Sequence, residues 1–159
     1  MAGLSLSAAL TTGCSCGAVY ATTSSGRPAA SSHLSSLGRV QFLTDPLGRQ
    51  VRYTYDPTGR VETVTDPAGG TTRYTYDASH RILTITDPRG ITYLTNEYEP
   101  TTGRVSRQTQ ADGGVFTFAY SVTGSAVTQT VVTNPRGHAT TTRFTAAGFP
   151  LVQTDALGG

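Results

Sequence analysis

From Leu37 onward the chain repeats itself every 21 residues or so, and a period in that range means a stack of small like units rather than one closed core. The segment "TDPLGRQVRYTYDPTGRVETV" at 44–64 is followed directly by "TDPAGGTTRYTYDASHRILTI" at 65–85. Pro46, Pro67 and Pro88 are 21 residues apart, as are Gly48, Gly69 and Gly90. Tyr55 recurs as Tyr76, Tyr98, Tyr120 and finally Phe144, at intervals of 21 to 24. Later copies drift without losing phase. "EYEPTTGRV" at 97–105 repeats "TYDPTGRV" with one residue inserted, "QADGG" at 110–114 keeps the acid and the glycines, and "TNPRG" at 133–137 puts Asn134 in the place of Asp. There are about five full copies, and "TDALG" at 154–158 opens another.

Each copy carries two turn signals. One is Asp-Pro-x-Gly, as in Asp45-Pro46-Leu47-Gly48; the other follows the tyrosine, as in Asp56-Pro57-Thr58-Gly59. Asp at the first position accepts a bond from a nearby backbone N–H, Pro presets φ near −65° at the second, and Gly takes positive φ at the fourth. A type I turn followed by such a glycine closes a hairpin with a bulge. His80 stands where one of these glycines is expected, and His tolerates positive φ better than a β-branched residue does.

Between turns lie short stretches of strand character: "RQVRYTY", "RVETVT", "TTRYTY", "RILTIT", "VFTFAY" and "SAVTQTVV". Val51, Tyr53 and Tyr55 share one face of the first, with Arg52 and Thr54 on the other, the period of a half-buried strand. In "RVETVT", Val61 and Val64 have opposite parity, which predicts a bulge or a strand covered on both faces. No segment shows a 3.6-residue period. The expected fold is all-β, a ribbon of ten or so antiparallel strands joined as hairpins over residues 37–159.

Leu, Ile, Val and Phe together make 31 of 159 residues, just under the one-fifth level at which disorder becomes a concern. Net charge is only +2, whereas disorder calls for a large charge. Thr, Gly and Ser fill the gap, so the repeats read as a thin-cored β protein. All twelve basic residues are Arg, spread along the repeats between acids. Nucleic-acid binding concentrates positive charge in a patch or stripe, so no nucleic-acid partner is expected. Residues 1–36 differ in kind, being rich in Ala, Ser, Thr and Gly, and read as a disordered low-complexity leader. They lack the basic start and continuous apolar run of a secretory signal. "ALTTGC" ending at Cys14 matches a lipoprotein site poorly, since Leu10 is one place too far from the cysteine. Cys14 and Cys16 are too close for a favourable disulfide and too few for a zinc site. His33, His80 and His138 lack ligand-like spacing. No stretch is apolar for long enough to span a membrane.

Catalytic, cofactor and metal sites are therefore not expected. Asp45, Asp56, Asp66, Asp77, Asp87, Asp112 and Asp155 recur with the turns and share one environment, whereas paired acid and base carboxylates need unlike ones. There is no calcium loop, phosphate-binding glycine loop or nucleophile elbow. Tyr53, Tyr55, Tyr74, Tyr76, Tyr93, Tyr98 and Tyr120 admit two readings: rings packed across the sheet as structure, or an exposed aromatic row that binds sugars or a protein.

The pairing of "YDxxGR" with "TDPxG" at this period, clearest in "YTYDPTGRV" at 53–61 and "YTYDASHRI" at 74–82, resembles the YD (Rhs) repeat family over residues 37 to 159. That resemblance implies a ribbon of hairpins spiralling into a hollow shell. In bacterial relatives the shell encloses a toxic C-terminal domain before delivery; in animal relatives similar repeats form the barrel of adhesion proteins. The family's shells use many more than five repeats, and its core segment with a self-cleavage site is not recognisable here. Asp45-Pro46-Leu47-Gly48 lies in phase with the repeat and reads as a turn rather than as that site. The resemblance implies a structural, non-enzymatic role in a secreted or envelope-associated protein. Its partners would be further YD repeats, or an encapsulated effector domain from the same or a neighbouring chain. A carbohydrate-binding or adhesive surface module is the alternative from another class, and a non-functional gene remnant is the third.

Overall fold

A computed structural model describes residues 5–9, 18–22 and 28–155, with side chains from Ala30 onward. Every regular element among the described residues is a β-strand, and the chain divides into two compact units, Met1–Tyr74 and Thr75–Gly159. The first contains β1 (Ser5–Ala9), β2 (Ala18–Thr22), β3 (Pro28–Leu34), β4 (Val40–Thr44), β5 (Gln50–Tyr55), β6 (Val61–Thr65) and most of β7 (Thr71–Tyr76). From β1 to β6 each pairs antiparallel with the next in sequence. The second unit contains β8 (Ile82–Thr86), β9 (Thr92–Tyr98), β10 (Val105–Gln110), β11 (Val115–Thr123), β12 (Ala126–Thr133), β13 (Ala139–Phe144) and β14 (Pro150–Thr154), and from β8 on each of these pairs antiparallel with the one that follows it. The meander of hairpins expected over residues 37–159 is present as eleven strands, β4 to β14.

Three strands fall inside the segment read as a leader. Of these, β3 pairs with β4 and leads into a turn at Ser35–Gly38 that has the repeat's own geometry. Ser35 Oγ accepts the N–H groups of Leu37 and Arg39 just as an aspartate would, so a serine hides this turn from an Asp-based motif. The remainder of that segment, Cys14 and Cys16 included, lies outside the described residues.

The turns are nearly superimposable in their bonding. Gly48 N–H donates to the Asp45 carbonyl and Asp45 N–H to the Arg49 carbonyl, and the same pair of bonds recurs at Ser35, Asp56, Asp66, Asp77, Asp87, Gln110, Asn134 and Thr145. The residue inserted at Glu99 is absorbed within its turn, where Gly103 rather than Thr102 bonds back to the Glu99 carbonyl. His80 adopts φ +64°, as its place in the repeat requires. Left-handed backbone costs an L-residue roughly 1–2 kcal/mol, so His80→Gly should raise stability by about 1 kcal/mol, read from the urea midpoint at unchanged slope.

The parity mismatch in β6 resolves as a bulge. Tyr53 faces Val64 and Thr54 faces Thr63, but Tyr55 faces Val61, leaving Glu62 as the extra residue. Both valines thereby come to the tyrosine side of the sheet, and strand twist increases locally. Comparable register shifts occur in β3/β4, β9/β10, β11/β12 and β13/β14.

Among the described residues no apolar side chain is fully buried; the two buried side chains are polar, Thr63 and Asn96, each 8% exposed. Stability therefore rests on backbone ladders and cross-strand pairs. Opposite the tyrosine face, hydroxyls couple across strands: Thr54 with Thr63 at 2.7 Å, Thr65 with Thr71 at 3.0 Å, and Thr86 with Thr92 at 2.9 Å. Pairs of this kind contribute about 0.2–1 kcal/mol each.

Candidate functional site

The residues that define the motif converge on one recurring structure. Asp77 Oδ1 accepts the backbone N–H groups of Ser79 at 2.9 Å and Arg81 at 3.0 Å, which closes the turn. Its other oxygen takes the Arg81 Nε at 2.7 Å. Held this way, the Arg81 guanidinium lies 4.2 Å from the centroid of Tyr98, the tyrosine of the following copy. The Tyr98 hydroxyl then donates to the carbonyl of Ile82, the residue after that arginine. Turn, arginine and tyrosine thus form a latch between successive hairpins.

The same arrangement appears at two other places. Arg39 lies over Tyr55 at 5.6 Å and the Tyr55 hydroxyl donates to Val40 O at 2.7 Å. Arg104 lies over Tyr120 at 5.7 Å and the Tyr120 hydroxyl donates to Val105 O at 2.9 Å. Cation–π contacts at such partly exposed sites are worth about 0.5–1 kcal/mol, and a hydrogen bond about as much. Burial raises the Tyr120 hydroxyl above its ordinary value, against the opposing charge of Arg104, which keeps it protonated and able to donate.

The aspartates expected at the turns sit at their first position at Asp45, Asp56, Asp66, Asp77 and Asp87, each accepting two backbone N–H groups. Asn134 does the same with its amide oxygen. Asp112 departs from the expectation. Gln110 opens that turn, and Asp112, its third residue, accepts from Gly114 N–H, so the acid stands two places later than in the other turns. Asp155 lies exposed beyond β14. Each first-position acid serves its own turn.

The carboxyls of Asp45, Asp56, Asp77 and Asp87 are held below their ordinary value. At Asp77 the Arg81 backbone N–H, then its guanidinium, hold the carboxyl below 3.8 against an opposing desolvation. At Asp56 desolvation is the largest influence and raises it, but Arg60 N–H, the Thr58 hydroxyl and the Arg60 guanidinium together outweigh it and the net shift is downward. Asp45 and Asp87 are lowered too, the first chiefly by the Arg49 side chain and the second by Ile91 N–H. A carboxyl whose folded value is depressed contributes stability above its unfolded value, lost as pH falls through the folded one. Thermal midpoints should therefore hold from neutral pH down to roughly pH 5 and fall below it. In Asp56→Asn/Asp77→Asn the acid slope should be shallower, since an amide keeps the turn, as Asn134 does, but carries no charge.

The tyrosines divide. Tyr55, Tyr98 and Tyr120 are latch residues, Tyr53 lies opposite Val64, and Tyr93 is exposed. His33 stacks on Phe42 with centroids 4.7 Å apart, and among the described residues no three His, Cys, Asp or Glu side chains come together as a metal site. The sequence did not reveal the pair Asn96 and Gln108. Asn96 Nδ2 donates to Ile82 O at 3.0 Å, beside the Tyr98 hydroxyl, and its Oδ1 accepts from Gln108 Nε2 at 3.0 Å. In the first full copy the same two places hold Tyr53 and Val64. The signal was there as a joint departure of both partners from the repeat.

Antiparallel hairpins repeated in tandem and latched through tyrosine and arginine define a β-hairpin repeat protein whose motif residues are structural. Residues 35–92 carry repeats of the YD (RHS) family: the family's model, described as RHS Repeat, matches residues 35–71 and 63–92. No curated protein matches this sequence. Among solved structures, the chain resembles the crystal structure of TcdB2-TccC3-Cdc42 at 14% identity and a TM-score of 0.58, over 82% of this chain and 8% of that one. It resembles TcdB2-TccC3 at 12% and 0.59, over 87% and 10%. A Photorhabdus luminescens Tc holotoxin pore matches at 13% and 0.58, over 87% and 9%. At these identities the likeness is one of fold, and the chain spans about a tenth or less of each.

Proposed function

We propose that this chain is a structural segment of an Rhs-type wall, which encloses and helps deliver a toxin or effector domain in a secreted or envelope-associated protein. The observation that carries the reading is the latch: Tyr, Asp, Gly and Arg, the residues that make the motif recognisable, are consumed in joining one hairpin to the next. The toxin assemblies among its structural neighbours support the same direction. In this reading residues 37–159 are wall, preceded by a leader over 1–36, and the partners are further repeats or the enclosed domain. No catalytic step is proposed. None of the described elements is a helix able to cross a membrane. A sugar-binding role is disfavoured, because an arginine covers one face of the Tyr55, Tyr98 and Tyr120 rings and a carbonyl takes each hydroxyl.

The DNA beyond the Gly159 codon provides the test. In-phase Tyr-Asp and Asp-Pro-x-Gly copies followed by an unrelated C-terminal domain are expected, with that domain resisting protease in the intact protein. A domain cleaved as fast with the repeats as without them overturns the enclosing role.

A further inference from the structure

The second unit contains an arginine socket that no arginine of its own fills. In all three occupied latches the guanidinium lies over the tyrosine ring; at Gly59 and Gly103, though not at Gly124, it also lies against the glycine of the tyrosine's own turn. A Cβ on Gly59 would collide with the Arg39 guanidinium, and one on Gly103 would come within 3.1 Å of Arg81 Nη1. At the last latch position the ring is Phe144 and the turn glycine is Gly148, and nothing lies within 4 Å of where a Gly148 Cβ would be.

The cause is local. The hairpin of β11 and β12 turns at Gly124 instead of through an Asp-x-x-Gly-Arg segment, and β12, "AVTQTVVT", carries no arginine. What remains is a cleft of about 440 Å³ lined by Phe144, Ala146, Ala147 and Gly148 together with Tyr120, Ala126, Val127 and Thr130. Phe144 has no hydroxyl, so the hydrogen bond of the latch is lost along with its cation.

The geometry points to this cleft as a docking site for an arginine side chain supplied by another polypeptide. The occupied copies show what the place accepts: a planar cation stacked on a ring, on a residue followed by an aliphatic one, as in Arg39-Val40, Arg81-Ile82 and Arg104-Val105. No carboxylate is needed to hold it. The turn position that is Asp77 beside Arg81 is Ser35 beside Arg39, and Glu99, ahead of Arg104, is engaged by Thr101 and Thr102. The preference is for arginine over lysine, because a planar, weakly hydrated guanidinium stacks on an aromatic face where an ammonium stays solvated.

The full chain, labelled for NMR, tests this with the peptide Ac-Gly-Arg-Val-NH2 and its lysine counterpart. Expected are saturable shifts confined to the residues lining the cleft, Phe144, Gly148, Val127, Tyr120 and Thr130 among them, with the lysine peptide binding at least about fivefold more weakly. Phe144→Leu, which keeps apolar bulk but removes the aromatic face, should erase that preference while leaving the Tyr98 resonances in place. Equal responses to the two peptides in the unaltered chain, or shifts that do not saturate, overturn the proposal whatever the variant does.

Discussion

Tyr98→Ala should destabilise the second unit by about 2–3 kcal/mol, whereas Tyr93→Ala on the same strand should cost under about 1 kcal/mol. Both replacements lose an aromatic ring from β9, so strand propensity is matched between them. They differ in the latch. Tyr98 loses its contact with Arg81, its bond to the Ile82 carbonyl and its share in the Asn96 network, while Tyr93 is exposed. Tyr98→Phe removes the hydroxyl alone and should cost about 1 kcal/mol. A double-mutant cycle of Tyr98→Ala with Arg81→Ala isolates the stacking, with a coupling of roughly 0.5–1 kcal/mol expected. Urea unfolding followed by tyrosine fluorescence, at unchanged slope, is the measurement; equal losses at positions 93 and 98 would show that the latch contributes nothing.

Most of this fold is legible in the sequence because its rules are local. Asp, Pro and Gly at fixed spacing specify a turn without reference to anything distant, and a meander pairs each strand with its neighbour in sequence. The bulge at Glu62 announced itself in the same way, through the clashing parity of Val61 and Val64. The role of arginine was less legible. Its recurrence after Gly38, Gly59, His80 and Gly103 is plain, but what it touches lies one copy further on, and only the register of the ladder brings Arg81 over Tyr98. Substitutions that keep the chemistry while changing the letter were harder still. Ser35 opens a turn of the repeat with a hydroxyl in place of a carboxylate, and Gln110 displaces Asp112 from the position its spacing suggested. The arginine socket was invisible for a related reason: it consists of a ring contributed by β13 and an arginine missing from the turn before β12, where Ser125 stands.

Replacing either member of the Asn96–Gln108 pair alone should be costly, and replacing both with the residues of the first copy should not. Asn96→Tyr leaves Gln108 Nε2 without its acceptor on a half-covered face. Gln108→Val leaves the Asn96 Oδ1, in a residue 8% exposed, without its donor. An unpaired polar group in such a place costs about 1–3 kcal/mol, so each single variant should lose about 2 kcal/mol. The double variant Asn96→Tyr/Gln108→Val recreates the Tyr53–Val64 pairing. It strands no polar group, since the Ile82 carbonyl that Asn96 shared still accepts from Tyr98. Its stability should return to the original value or above it, giving a coupling of about 3 kcal/mol or more in the cycle. Single effects that simply add would mean the two amides are independent surface groups. Recovery would mean that the third copy departs from the repeat at two positions at once because neither change is tolerated alone. That also accounts for a buried amide in a chain whose other copies place an aromatic or β-branched side chain there: a polar pair matches only itself, and a register slip in β9 or β10 would leave both amides unsatisfied.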